Sequence, residues 1–323
     1  MSLYLITGAA GFIGSSLARA LVSRGESVRG VDNFATGKRQ NIADILDRID
    51  FREADITNLD AMHQACAGVD FVLHQAAIPS VPKSVLDPLG SNRANVDGTV
   101  NVLVAARDAK VKRVVYAASS SAYGDTPTLP KREDMRPDPI SPYAVAKLAS
   151  EQYMISFYRC YGLETVSLRY FNIFGPRQDP TSPYSGVLAK FTTQMLRGEQ
   201  PTINGDGEQS RDFTYIDNAI EANLLACKAP AQKAAGQMFN VATGRRVTLN
   251  ETFKVLQDLT GYKGQPKHGP VREGDVKHSL ADISKAEAGL GYKPRVNFEE
   301  GLKRTVEWYR ESGVGLQASG NRR

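Results

Sequence analysis

Tyr143 and Lys147 stand four residues apart in Tyr143-Ala144-Val145-Ala146-Lys147. On a helix, positions i and i+4 share a face, so the phenol and the ammonium project together. A cation beside a phenol favours the phenolate and lowers its pKa toward working pH, which suits a general base. Taken alone this spacing is more often a surface contact, but two neighbours single it out. Ser141-Pro142 supplies a helix start, and Ser119, Ser120 and Ser121 end an apolar run 22 to 24 residues earlier. A hydroxyl at the carboxyl end of a parallel strand lies where such sheets bind ligands.

A second constellation sits at the start of the chain. Gly8-Ala9-Ala10-Gly11-Phe12-Ile13-Gly14 follows the apolar run Leu3–Thr7 and opens a helical pattern. Glycines at these points allow a tight turn, close approach to a pyrophosphate and close helix–sheet packing, with the helix N-terminus facing the phosphates. Asp32 lies 18 residues past Gly14, where an acid accepts adenosine ribose hydroxyls and repels a 2′-phosphate. That favours NAD over NADP, and Lys38 and Arg39 just behind read as a solvated face. Asp55-Ile56 is a further candidate for the adenine, with a plain turn as the alternative. Asn33, Gln75, Ala76, Ala77 and Tyr170 complete the cofactor candidates.

The elements that must position these groups alternate along the chain. Leu3–Thr7, Ser27–Val31, Asp50–Ala54, Phe71–Leu73, Arg113–Ala117 and Thr165–Leu168 read as strands, mostly apolar throughout, as parallel strands covered on both faces are. Gly11–Arg24 and Asn95–Arg107 read as helices between them. This predicts an α/β fold with a doubly wound, Rossmann-type parallel sheet over residues 1–174. From about Phe174 proline, glycine and polar residues become frequent, and a smaller α/β substrate lobe is expected over 175–323. That lobe is discontinuous, because 236–242 reads as a strand returning to the sheet. The polar stretch from Gly313 is expected to fray.

Composition excludes several classes. A hydrophobic fraction of 41% and a charged fraction of 23% over 323 residues are those of a globular protein. No apolar run reaches the roughly 18 residues of a membrane span. Thr7 to Val22 holds three glycines and lacks a basic flank, so it is not read as a leader. The net charge of +5 is scattered rather than gathered into the stripe of a nucleic-acid binder. Cys66, Cys160 and Cys227 lie far apart and read as buried, reduced thiols of a cytoplasmic protein. The four histidines form no HxxH or HxxxH pair, and no metal site is expected.

Together with the segment Arg169-Tyr170-Phe171-Asn172-Ile173-Phe174-Gly175-Pro176-Arg177, these motifs resemble the extended short-chain dehydrogenase/reductase family. The resemblance covers almost the whole chain and is strongest to its NAD-dependent sugar-nucleotide epimerase/dehydratase branch. It implies tightly held NAD, oxidation of a nucleotide-sugar hydroxyl, and later reduction of the same carbon. On this resemblance Ser119 bonds the reacting sugar oxygen, Tyr143 is the base, and Lys147 holds the nicotinamide ribose. The 4,6-dehydratases of the branch carry an Asp-Glu pair where this chain has Ser120-Ser121, so elimination is disfavoured and 4-epimerisation is the simplest expectation.

The resemblance also assigns the nucleotide grip. Arg211 and Arg272 match arginines that clamp the diphosphate, a task that suits guanidinium geometry. Asp275 matches a ribose contact and Asn172 a diphosphate–sugar contact, and Thr202-Ile203-Asn204 is a candidate to line the uracil slot by backbone contacts, with a hairpin arm as the alternative. The segment 272–283 resembles UDP-N-acetylglucosamine 4-epimerases, and Ser279 stands where glucose-only enzymes carry tyrosine, leaving room for an acetamide. Lys83 and Ser84 are candidate sugar or cofactor contacts. A UDP-glucuronate 4-epimerase or decarboxylase remains the alternative, and a non-catalytic NAD(P)-sensing regulator a remote one. Apolar residues spread around the helix from Tyr143, and those of Asn95–Arg107, lead us to expect a homodimer, as in relatives.

Overall fold

The computed structural model describes residues 1–180, 186–271 and 277–313. The apolar runs become β1 (Leu3–Thr7), β2 (Ser27–Asp32), β3 (Asp50–Glu53), β4 (Phe71–His74), β5 (Arg113–Ser119) and β6 (Glu164–Tyr170). With Gln237–Val241 they form a seven-stranded parallel sheet, in the order Gln237–Val241, β6, β5, β4, β1, β2, β3.

Residues two apart on a strand share a face, and here both faces are apolar. Tyr4 and Ile6 of β1 enter one buried cluster and Leu5 the other; Val115 and Ala117 of β5 are likewise opposed to Val114, Tyr116 and Ala118. The helices Phe12–Ser23 and Ile216–Lys228 cover the first face, with Leu17, Leu21 and Leu224. Leu59–Cys66, Gly98–Asp108 and Pro142–Tyr161 cover the second, with Met62, Val102 and Met154. The chain runs outward from β1 to β3, then crosses back to place β4 on the other side of β1. That reversal opens a crevice at the carboxyl ends of β1 and β4.

One helix differs from expectation at its start. The α-helix runs Gly98–Asp108, and Arg93–Asp97 before it forms a wider π-turn. The Asn95 carbonyl accepts hydroxyls from Thr99 at 2.6 Å and Ser150 at 2.9 Å, which widens the ladder there. Such turns recur at functional sites.

Beyond β6 three short two-stranded ladders appear among the described residues. Ile173–Phe174 pairs with Thr214–Tyr215, Ser210–Arg211 with Val247–Thr248, and Thr202–Asn204 with Lys267–Gly269. Phe191, Phe253, Phe298 and Leu302 from the helices of this part join the same apolar cluster as the first face of the sheet. Among the described residues no helix is long and apolar enough to cross a membrane, and no group of His, Cys, Asp or Glu suits a metal ion.

Candidate active site

The glycines build a cradle by omission. A Cβ on Gly8, whose φ is +70°, would lie 2.8 Å from both Cα and N of Ala76; one on Gly14 would lie 2.1 Å from the Gly8 carbonyl oxygen. Loop and helix therefore close to distances that only glycine permits. Phe12 and Ile13, in the first helical turn, pack half-buried against the core. The adjoining cavity of about 260 Å³ is lined by Gly8, Asp32, Asn33, Asp55, Ile56, Ala76 and Ala77, among others. A narrow slot with an acid at its end fits the adenosine half of a dinucleotide.

Asp32 is buried, and burial pushes its carboxyl above the usual range against the pull of nearby backbone N–H groups. It accepts from Ala10 N at 2.9 Å and Phe34 N at 2.7 Å. Asn33 Nδ2 donates to Asp55 Oδ2 at 2.8 Å, so the β2 and β3 ends are tied across the slot. Both basic residues behind Asp32 are engaged elsewhere. Lys38 pairs with Asp179 at 2.6 Å, and Arg39 pairs with Glu53 and lies over the Phe34 ring. Neither is set aside for a 2′-phosphate.

Deeper in the crevice, Tyr170 Oη donates to Gln75 Oε1 at 3.2 Å and accepts from Asn223 Nδ2 at 2.7 Å, and Gln75 Nε2 donates to Asn223 Oδ1 at 3.2 Å. Asn223 was not a sequence candidate, and only its place on the inner face of Ile216–Lys228 marks it. A second buried chain runs beside this ring. The Thr99 hydroxyl is spent on Asn95 O, so His74 Nε2 donates to Thr99 Oγ1 at 2.9 Å and Nδ1 accepts from Thr7 Oγ1 at 2.6 Å. Thr7 Oγ1 in turn accepts from Ala76 N at 3.3 Å. Burial, helped by the nearby Lys147, drives the His74 pKa down to about 3, so the imidazole is neutral and braces the cradle.

Tyr143 lies in the first turn of Pro142–Tyr161, with Ser141 Oγ accepting from Ala144 N at 3.2 Å as the N-cap. Such a cap contributes about 1 kcal/mol, and the helix N-terminus favours a negative charge beside it. Ser84 is fully buried, accepts from Tyr143 N at 3.0 Å and donates to Val81 O at 2.7 Å. It anchors this helix start, which corrects the expectation of a sugar or cofactor contact. Lys83, on the short helix Val81–Leu86, is exposed.

The Ser119 hydroxyl faces the Tyr143 phenol; burial pushes the phenol up to about 12, and Ser119 pulls it back. Ser121 Oγ donates to Ser119 Oγ at 2.8 Å and Ser121 N donates to it at 3.2 Å, while Ser120 begins the turn that Ser119 caps. Lys147 departs from expectation. Its ammonium donates to Ala117 O at 2.8 Å, 4.7 Å over the Tyr116 ring, and burial lowers it to about 7. The two side chains share a helix face, with the amine held on the β5 carbonyl.

A second cavity, of about 240 Å³, lies beyond. Phe174, Leu188, Phe213 and Leu249 give it apolar walls, and Asn172, Gln178, Gln209 and Arg211 give it polar ones. Asn172, left-handed at φ 40°, donates to Asp212 O at 3.0 Å and to Ser279 Oγ at 3.3 Å. Arg211 Nη1 donates to the carbonyls of Ser210 and Lys277. Gln209, Phe213 and Leu249 had no sequence signal beyond standing near Arg211 or a helix start. The exposed Thr202 and Asn204 pair with 267–269 and do not line this cavity, and Arg272 and Asp275 lie outside the described residues.

A parallel sheet reversing beside a glycine cradle, with a serine–tyrosine–lysine set at its carboxyl edge, defines a dinucleotide-dependent enzyme of the short-chain dehydrogenase type. The chain belongs to the NAD-dependent epimerase/dehydratase family, whose model matches residues 4–242. It is 37% identical over 310 residues to the UDP-glucose 4-epimerase of Mycolicibacterium smegmatis, covering 95% of this chain and 98% of that one. In structure it resembles UDP-glucose 4-epimerase from Thermotoga maritima with UDP-glucose (TM-score 0.91, 40% identity, 96% and 99% coverage). It also resembles UDP-N-acetylglucosamine 4-epimerase from Methanobrevibacter ruminantium M1 in complex with UDP-N-acetylmuramic acid (TM-score 0.91, 39% identity, 96% and 99% coverage).

Proposed function

We propose that the protein is a UDP-hexose 4-epimerase accepting UDP-N-acetylglucosamine and UDP-N-acetylgalactosamine as well as UDP-glucose and UDP-galactose. The observation that carries this reading is the Ser119–Tyr143 pair at the end of β5, with Ser120 and Ser121 rather than carboxylates beside it. Gly8, Gly11 and Gly14 would seat the pyrophosphate, and Asp32 the adenosine ribose. When bound, NAD supplies a reversible hydride acceptor and a positive charge near the phenol.

Ser119 hydrogen-bonds the C4 oxygen and Tyr143 takes its proton, a transfer worth typically 10²- to 10⁴-fold. Lys147 leaves Ala117 O to hold the nicotinamide ribose, and its charge then helps the phenolate. No acid stands next to Ser119 to expel a C6 hydroxyl, so the 4-keto sugar persists until Tyr143 returns the proton. Inversion requires the sugar to turn while its nucleotide stays fixed. Arg211, Asn172 and the apolar walls supply the fixed end, with Arg272 and Asp275 assigned to it by resemblance. Ser279, small and bonded to Asn172, leaves the sugar end roomy.

The exposed Val145, Tyr153, Tyr158 and Tyr161 on Pro142–Tyr161 support a homodimer through this helix, and the free thiols Cys66 and Cys227 support a cytoplasmic setting; both are buried as expected, whereas Cys160, near the end of the same helix, is exposed. NMR of the NAD-loaded protein with UDP-N-acetylglucosamine, UDP-glucose and UDP-glucuronate tests the assignment. C4 inversion of the first two is expected. Turnover of the uronate alone, by inversion or carbon dioxide loss, overturns it in favour of the uronate enzymes of the family.

A further inference from the structure

Arg169 and Glu151 form an ion pair with both side chains 1% exposed. The contact is bidentate, Nε to Oε2 at 2.8 Å and Nη2 to Oε1 at 2.7 Å. Burying such a pair is not an economical way to gain stability, because well-packed apolar residues of similar volume often do as well or better. What two parallel charge-assisted bonds provide is a fixed length and angle, whereas apolar contacts tolerate sliding and repacking.

The pair joins the two elements that carry the proton chemistry. Glu151 is four residues past Lys147 and eight past Tyr143 on Pro142–Tyr161, so the three descend one stripe of that helix. Arg169 is on β6 opposite Ala118, and its neighbour Tyr170 is opposite Ser119. The guanidinium also lies 4.6 Å over the Tyr123 ring, and Tyr123 closes the turn that Ser119 caps. Tyr123 is held in turn through its hydroxyl to Asn240 Oδ1 at 2.7 Å. One end of the strut therefore fixes the slide and rotation of the tyrosine helix, and the other fixes the strand end and turn that present Ser119.

We propose that Glu151 and Arg169 are positioning residues that set the Ser119–Tyr143 separation, and thereby the rate of proton transfer rather than the binding of nucleotide. The inference rests on the reading of Tyr143 as the base. It accounts for the presence of two opposite charges in the core when the helix already has Met154 and Phe157 to pack it.

The test uses the full chain loaded with NAD and compares E151L/R169M, Glu151→Asp and Tyr143→Phe. The double variant replaces the strut by apolar volume; the aspartate keeps both charges but shortens one arm by a methylene, so a result survives if either fails to fold. In the double variant and in Glu151→Asp, kcat per NAD-loaded site is expected to fall about 10- to 100-fold, the range in which a shift of about 1 Å acts. KM for the UDP-sugar should stay within about twofold, and the acid limb of the kcat–pH profile should move to higher pH as the phenol loses Ser119. Wild-type kcat and pH profile per loaded site in a folded variant overturn the proposal, even if thermal stability has dropped. Tyr143→Phe separates the two failures: if it is inactive the base stands and only the strut fails, and if it retains turnover the base assignment itself is wrong.

Discussion

Asn172 donates through Nδ2 to the Ser279 hydroxyl at 3.3 Å, joining segments 107 residues apart in the chain. The contact holds a small side chain beside the cavity residue Asn172, and the hydroxyl also accepts from Asp212 N at 3.5 Å. Ser279→Tyr should fill the space assigned to the acetamide. Turnover of UDP-N-acetylglucosamine is expected to fall about 10- to 100-fold, the cost of overpacking by roughly 1–3 kcal/mol. UDP-glucose turnover should persist, and parallel steady-state assays on the two sugars check it.

Gly8→Ala should disable the cradle. The new Cβ would meet the Ala76 backbone at 2.8 Å in a left-handed conformation, which by itself costs about 1–3 kcal/mol. A lower Tm and loss of co-purifying NAD are expected, measured by thermal unfolding and by absorbance of the released cofactor.

Lys147 gives the apoprotein a defined pH dependence. Its pKa of about 7 lies below the ordinary lysine value, so between there and about 10 the unfolded chain binds more protons than the folded one. This group therefore makes stability rise with pH across that window. Lys147→Met should raise the apoprotein Tm most at pH 7 and below, with the difference shrinking toward pH 10. The same variant should lose turnover, because nothing then holds the nicotinamide ribose.

His74 acts in the acid range. Neutral in the fold down to about pH 3, it leaves the unfolded chain with more bound protons between there and about 6.5. Stability from this group is complete above that window and is lost as pH falls through it. His74→Gln should flatten the fall in Tm between pH 6 and 4, as followed by circular dichroism.

The sheet was legible in the sequence because parallel strands covered on both faces need apolar runs, and Leu3–Ile6 of β1, Phe71–Leu73 of β4 and Val114–Ala118 of β5 are such runs. The cradle was legible because no other residue type survives at Gly8 and Gly14. The wide turn at Arg93–Asp97 was not, because its cause is the Ser150 hydroxyl from another helix. Ser84 misled for a similar reason. A serine in a loop after a strand looks like a ligand contact, and only the fold shows its hydroxyl spent on the backbone of Tyr143 and Val81. The resting place of the Lys147 amine on Ala117 O likewise depends on strand packing that helix periodicity does not encode. Nor does Thr202–Asn204 announce that it pairs with 267–269 instead of bordering the cavity.

In the proposed reaction one hydrogen leaves C4 of the sugar and returns to C4, with Tyr143 handling only the hydroxyl proton. NMR of the epimerisation of UDP-N-acetylglucosamine in deuterated water tests it directly. The product is predicted to carry protium at both C4 and C5. Solvent deuterium at either carbon would contradict the account, because it would mean that a carbon-bound hydrogen had exchanged with water during turnover.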